Sequence, residues 1–248
     1  MKISLVSSLF ACAVLVACSG VDPADADPTA DESSVVGGAP DHHPAVVAID
    51  VDGDGLCTGT LVAPDVVLTA RHCVSVTREQ VTCGPSDVSG DRDPRSLVVY
   101  GGDSIRTATP LARGRELVVP AGRALCEHDV AAIVLDRAVK GVTPADVAGA
   151  APRVGESLLV VGFGRSAQTS GAGTKRHRLV RVREVSAREL EVGESTCPGD
   201  SGGPAFDAKG AVAAVVSRGR ARCAGPSASN VLTRADVVRS LVDRAKRR

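Results

Sequence analysis

Tryptophan is absent from the 248 residues, tyrosine and methionine occur once each, and phenylalanine occurs three times. A surface that binds nucleic acid by base stacking needs aromatic rings interleaved with basic residues, and this chain has too few rings to build one. Net charge is also missing, because 29 Lys and Arg balance 29 Asp and Glu. Setting aside Lys2 and the five acids between Ser19 and Ser34 leaves 28 bases and 24 acids over residues 35–248, a net of +4. That excess is too mild for an electrostatic grip on nucleic acid. The most apolar stretch, Ile3 to Ala17, is shorter than the about 20 residues of a transmembrane helix. No C-x-x-C pair occurs among the eight cysteines, so the close spacing of a structural zinc site is lacking. Neither a metal nor a cofactor is expected.

What the chain does have is aliphatic residues in short alternating runs. Its hydrophobic content is 44%, made almost wholly of Val, Ala and Leu, and it is broken by 26 Gly and 14 Pro. Valine-rich alternation between such breakers reads as many short strands, an all-β domain of the sandwich or barrel kind. The tail from Arg234 to Arg248 differs: Val237, Val238, Leu241 and Val242 recur at helical spacing, which predicts a terminal amphipathic helix over about 234–248. No internal sequence repeat is visible.

The N-terminus reads as an export signal. Lys2 precedes the apolar run, which ends in Leu15-Val16-Ala17-Cys18. This resembles a bacterial lipobox, with residues 1–17 removed and Cys18 lipidated; ordinary signal cleavage near Ser19 or Gly20 is the alternative. Residues 18–34 are rich in Pro, Asp, Ala and Ser, with Val21 their only large apolar residue. They cannot bury enough surface to fold and read as a tether or propeptide, spanning about 20–25 Å as a flexible chain.

Chemistry concentrates in Cys197-Pro198-Gly199-Asp200-Ser201-Gly202-Gly203-Pro204. Glycines on both sides of a serine let backbone amides converge beside its hydroxyl, with no Cβ in the way. Such a loop suits a nucleophile and the oxyanion formed when it attacks a carbonyl. Upstream, Leu68-Thr69-Ala70-Arg71-His72-Cys73 offers a base after a hydrophobic stretch, and His128-Asp129-Val130 offers an acid at the mouth of an apolar run. His, Asp and Ser in this chain order resemble the chymotrypsin/trypsin-like serine proteases, and the likeness extends from Val35 to the C-terminus. The pattern G-x-S-x-G, met by Gly199 to Gly203, also occurs in α/β-hydrolases. Those place the histidine after the serine, and none follows His177 here.

The resemblance implies two antiparallel Greek-key barrels, about 35–135 and about 154–233, packed together within a protease domain at 35–248. It implies Ser201 as nucleophile, His72 as general base, Asp129 as its orienting acid, and the amides of Gly199 and Ser201 as the oxyanion hole. Setting aside Cys12 and Cys18, six cysteines remain, and six allow fifteen pairings. The resemblance implies Cys57–Cys73 and Cys197–Cys223 and, with those, Cys83–Cys126. Val35-Val36-Gly37-Gly38 resembles the family's mature start, where a new ammonium pairs with the acid before the nucleophile, here Asp200; the plain alternative is a strand start followed by a turn. The cut would follow Ser34, so the activating protease is not expected to be trypsin-like. Ser195 falls at the family's pocket floor, where an enzyme selecting Lys or Arg has Asp. Ser217-Arg218-Gly219 falls on one wall, with Arg218 where an aromatic is common, and Asn230 would intrude from the other. An uncharged side chain is expected before the scissile bond. The expected partners are protein or peptide substrates, an activating protease, and a membrane reached through Cys18, for an exported monomer; the alternative is a silent, anchored binding module on the same fold.

The remaining motifs read as structure. Asp50-Val51-Asp52-Gly53-Asp54-Gly55 resembles the start of a calcium loop, but Leu61 stands where the bidentate Glu belongs, so a polar hairpin turn is expected. His42-His43-Pro44 reads as a surface turn, Lys175-Arg176-His177-Arg178 as a solvated run, and Gly162-Phe163-Gly164 as structural. His128 is taken as a neighbour of Asp129 and not as a base.

Overall fold

The computed structural model describes residues 38–53, 55–78, 81–165, 172–193, 196–219 and 229–248. The first barrel contains β2 (Val46–Val51), β3 (Gly55–Ala63), β4 (Val66–Thr69), β7 (Leu97–Tyr100), β8 (Pro110–Val118) and β9 (Ala131–Leu135). They close in the order β2-β3-β4-β9-β8-β7, all antiparallel. The second contains β10 (Ser157–Gly162), β11 (Arg176–Val185), β12 (Glu189–Val192), β13 (Pro204–Phe206), β14 (Val212–Gly219) and β15 (Asn230–Arg234). It closes through β11–β12 pairing, and the short β1 (Ala39–Pro40) adds to β11. Counted within each barrel, both follow the order 1-2-3-6-5-4. The topology is duplicated even though the sequence shows no repeat. A small sheet of β5 (Ser75–Thr77) and β6 (Val88–Asp91) completes the strands.

Burial follows strand position. β8 alternates, with Ala112 and Val118 inward and Arg113 and Arg115 outward. β9 is buried at all five positions, because it lies between β4 and β8 and is also covered by the terminal helix α2 (Arg239–Ala245). That helix buries Leu241, Val242 and Ala245 and follows a 3-10 turn at Asp236–Val238. Closed barrels leave few free sheet edges. Their interiors are filled by Val, Leu, Ile and Ala, so the lack of rings is answered by many small contacts.

At the acidic hairpin, Val51 pairs with Gly55, while Asp52 and Gly53 take positive φ and Gly53 N donates to Asp50 Oδ1. This is the turn geometry that Gly and Asp tolerate best. Other motifs depart from expectation. Lys175 is only 1% exposed: its Nζ donates to His43 O at 2.8 Å and sits 5.4 Å from the Phe163 ring centroid. His42 is exposed as a surface turn requires, but the His43 ring stacks on Phe206 at 4.5 Å. The reason is β1, which draws Asp41 N onto Lys175 O and carries the histidines over the second barrel.

Candidate active site

His72 sits on α1 (Arg71–Val74), a single turn leaving β4 after the extended Ala70. Two covalent and polar ties hold that turn. Cys73 is bonded to Cys57 of β3, with Cα atoms 6.1 Å apart, and the buried Arg71 donates to Pro120 O at 3.1 Å. Asp129 precedes β9 and is fully buried. Its Oδ1 accepts the His72 main-chain N–H at 3.0 Å, and its Oδ2 lies 2.8 Å from His72 Nδ1. Three residues upstream of Asp129, Cys126 is bonded to Cys83.

The second barrel completes the surroundings of Asp129. Ser217 Oγ donates to Asp129 Oδ2 at 2.6 Å, and Thr233 Oγ1 donates to the Asp129 carbonyl at 3.1 Å. Ser217 is the residue at which the β14–β15 register shifts, and a bulge re-aims one side chain. Its hydroxyl is therefore committed to Asp129, so that of Ser217 only the backbone remains to form a pocket wall. Desolvation alone would raise the Asp129 carboxyl, but the His72 charge and the hydrogen bonds from His72 and Ser217 hold it below the usual carboxylate range. Desolvation is likewise the largest single influence on His72 and opposes its imidazolium, but the Asp129 charge and hydrogen bond together outweigh it and raise His72 above the ordinary histidine value.

Ser201 lies in a turn closed by Asp200 N to Cys197 O at 3.0 Å and Gly203 N to Asp200 O at 2.9 Å. Gly199 takes φ +105°, a conformation other residues rarely adopt. Among the described residues, neither the Gly199 nor the Ser201 amide donates to a backbone acceptor. The loop is docked on the first barrel: Ser201 O accepts Thr58 N at 2.8 Å and lies 3.6 Å from Cys73 Sγ, next to His72. No hydrogen bond joins the His72 ring to the Ser201 hydroxyl among the described residues; such bonds often tighten only with substrate present.

Thr58 carries no signal in the sequence beyond its place beside Cys57, yet it ties the two barrels at this loop. Its Oγ1 donates to Gly199 O at 2.8 Å and accepts Phe163 N at 3.0 Å, and its carbonyl accepts Thr69 Oγ1 at 2.9 Å. Thr58→Val keeps the shape and leaves Gly199 C=O and Phe163 N–H unpaired in a buried place. A loss of about 1–3 kcal/mol in urea unfolding is expected, with Thr58→Ser close to the parent.

Asp200 is fully buried in a cradle formed by Gly162 and Gly164, where a Cβ on either would fall within 2.4 Å of its carboxyl group. Gly-aromatic-Gly is thus a space requirement of Asp200. The carboxyl accepts Gly164 N at 2.7 Å and Cys197 N at 2.9 Å, but no basic side chain meets it among the described residues. Burial pushes its pKa up to about 7 against the lowering effect of those two bonds.

Of the remaining candidates, Asn230 is buried, with Oδ1 2.5 Å from Thr196 Oγ1 and Nδ2 donating to Gly193 O at 3.2 Å. It thereby bridges the two sides of the Glu194-Ser195 position. Gly219 ends β14 opposite it and is exposed. Cys18, Val35, Ser195 and Cys223 lie outside the described residues, so the Val35–Asp200 and Cys197–Cys223 pairings do too. Cys57, His72 and Cys73 place their ligand atoms within 4.8 Å of one another. The two sulfurs are spent in a disulfide and cannot act as thiolate ligands.

The family model for trypsin matches residues 35–242. The chain belongs to the trypsin family. Among relatives of this trypsin-family chain, snake venom serine protease 3 of Protobothrops jerdonii is 24% identical over 246 residues, covering 84% of this chain and 87% of that protein. A trypsin-like protease of Streptomyces glaucescens is 28% identical over 221 residues, covering 78% and 74%. In fold the chain is similar to the scabies mite inactivated protease paralogue S-D1, at TM-score 0.69 and 16% identity over 84% of this chain and 95% of that one. Family membership supports a serine-protease hydrolase acting on protein or peptide.

Proposed function

We propose that the protein is an exported serine endopeptidase with Ser201 as nucleophile, His72 as general base and Asp129 as its orienting acid. The observation that carries this reading is the double attachment of His72 to Asp129 through Nδ1 and the main-chain N–H. It fixes the ring so that Nε2 is the nitrogen left for the Ser201 hydroxyl. Ser201 Oγ attacks the scissile carbonyl as His72 takes its proton, and the Gly199 and Ser201 amides hold the oxyanion. Collapse expels the amine, protonated by His72, and water then hydrolyses the acyl-enzyme by the same route.

Activation is proposed to follow cleavage before Val35, whose new ammonium would supply the cation that the Asp200 carboxyl lacks among the described residues. With a lipid on Cys18 and no cysteine between Cys18 and Val35, that cut would also release the domain from its membrane anchor. Ser195 and Asn230 carry no charge to pair with Lys or Arg, which favours an uncharged side chain before the scissile bond. Fluorophosphonate labelling of the full-length protein and of a form beginning at Val35, with Ser201→Ala as control, tests the reading. Strong labelling of Ser201 in the Val35 form is expected. No labelling in either form would instead favour a silent binding module.

A further inference from the structure

We propose that the ion pair of Arg218 and Glu189, both from the second barrel, is a positioning clamp that holds Asp129 and sets the pH at which His72 becomes a base. The inference rests on the roles just assigned to His72 and Asp129. Arg218 stands on β14 immediately after Ser217, and Glu189 opens β12. Their contact is a two-pronged fork, Nη1 to Oε1 at 2.7 Å and Nη2 to Oε2 at 2.9 Å, with both side chains largely buried.

From this fork two arms reach Asp129. Arg218 Nη1 donates to Ser217 Oγ at 3.3 Å, and the same hydroxyl donates to Asp129 Oδ2 at 2.6 Å. On the main-chain side, Glu189 Oε1 accepts Glu127 N at 2.7 Å, two residues before Asp129. Glu127 is a non-glycine residue at φ +65°, a conformation that persists only when its surroundings impose it. The surroundings are residues 188 and 189: Glu189 takes the Glu127 amide and Arg188 Nε donates to its carbonyl at 2.9 Å. One pair of side chains thus orients the carboxylate and holds the turn that delivers it.

The charges around this network are few. Arg218 is faced by Glu189, Asp129 and the buried Asp87, and Asp129 by His72, Arg218 and Arg71. Arg218 therefore presents a cation to the dyad that Glu189 largely offsets. Removing either member leaves the other's charge acting on His72, with opposite sign.

The test is NMR titration of the His72 C2 proton, alongside the acid limb of kcat/KM, in the parent, Glu189→Gln and Arg218→Met. Arg218→Met removes a cation and should move the His72 midpoint up by about 0.5–1 pH unit; Glu189→Gln unmasks the cation and should move it down by about as much. Arg218→Lys keeps the charge without the fork, so its midpoint should stay near that of the parent while kcat falls. Midpoints that do not move, or that move in the same direction in both charge variants, overturn the clamp. Should Arg218→Met not fold, the direction of the Glu189→Gln shift decides alone. An inactive parent defeats the catalytic reading, whereas the NMR midpoints still decide the clamp.

Discussion

Asp129→Asn is expected to lower kcat about 10⁴-fold, the magnitude known for Ser-His-Asp proteases, or about 5 kcal/mol of transition-state stabilisation, without unfolding the protein. The hydrogen bonds dictate both halves of that result. The amide oxygen can still accept the His72 main-chain N–H in place of Oδ1. The amide nitrogen then occupies the place of Oδ2 and donates to His72 Nδ1 and to Ser217 Oγ. The His72 main-chain N–H and ring keep a partner while the Ser217 O–H loses its acceptor, and because Nδ1 has become an acceptor the ring proton moves to Nε2. A ring protonated at Nε2 cannot take the Ser201 proton. Steady-state kinetics with a urea melt checks both parts; a variant that retains a tenth of the parent activity would remove Asp129 from the mechanism.

The second large effect concerns Asp200 and is read in stability. In the folded full-length chain its pKa is raised to about 7, whereas the unfolded value is near 3.8. Between those values the folded state binds the proton and the unfolded state does not, so stability falls as pH rises through that window. About three pH units of difference correspond to roughly 4 kcal/mol, all lost above pH 7. Asp200→Asn abolishes this contribution. Urea unfolding of the full-length chain at pH 4.5 and pH 8, which spans most of that window, should show a decline for the parent that is smaller in the variant by about 3 kcal/mol. In the form beginning at Val35 the same substitution leaves the ammonium without its carboxylate, and activity should fall about 100-fold or more. Parallel pH profiles for parent and variant would mean that Asp200 already has a cation in the full-length chain.

How far the site could be read in the primary structure depends on whether the information is local. The serine loop, the histidine turn and the aspartate ahead of β9 are contiguous motifs whose residue types state their chemistry. Lys175 misleads because its neighbours in sequence are polar, while its burial comes from β1 crossing onto β11 and from the Phe163 ring beneath it. Ser217 lies on the expected wall strand, but only the bulge in β14 turns its hydroxyl to Asp129. Thr58 and Glu189 are silent for a different reason. They act on segments 141 and 62 residues away, and no local pattern encodes a partner at that distance.

The primary structure alone therefore determined the chemistry on offer: Ser201 flanked by glycines, His72 and Asp129 in order upstream, and a valine-rich, ring-poor chain that must form many short strands. Tertiary structure decided what each group experiences. It duplicated one strand order in two barrels, drew Thr58 under Gly199, and placed the Asp200 carboxyl between Gly162 and Gly164 without a cation among the described residues. It also set Arg218 and Glu189 behind Asp129. The physical reason is that reactivity belongs to a residue type, whereas burial, hydrogen-bond partners and pKa belong to a place, and places exist only once distant strands have closed.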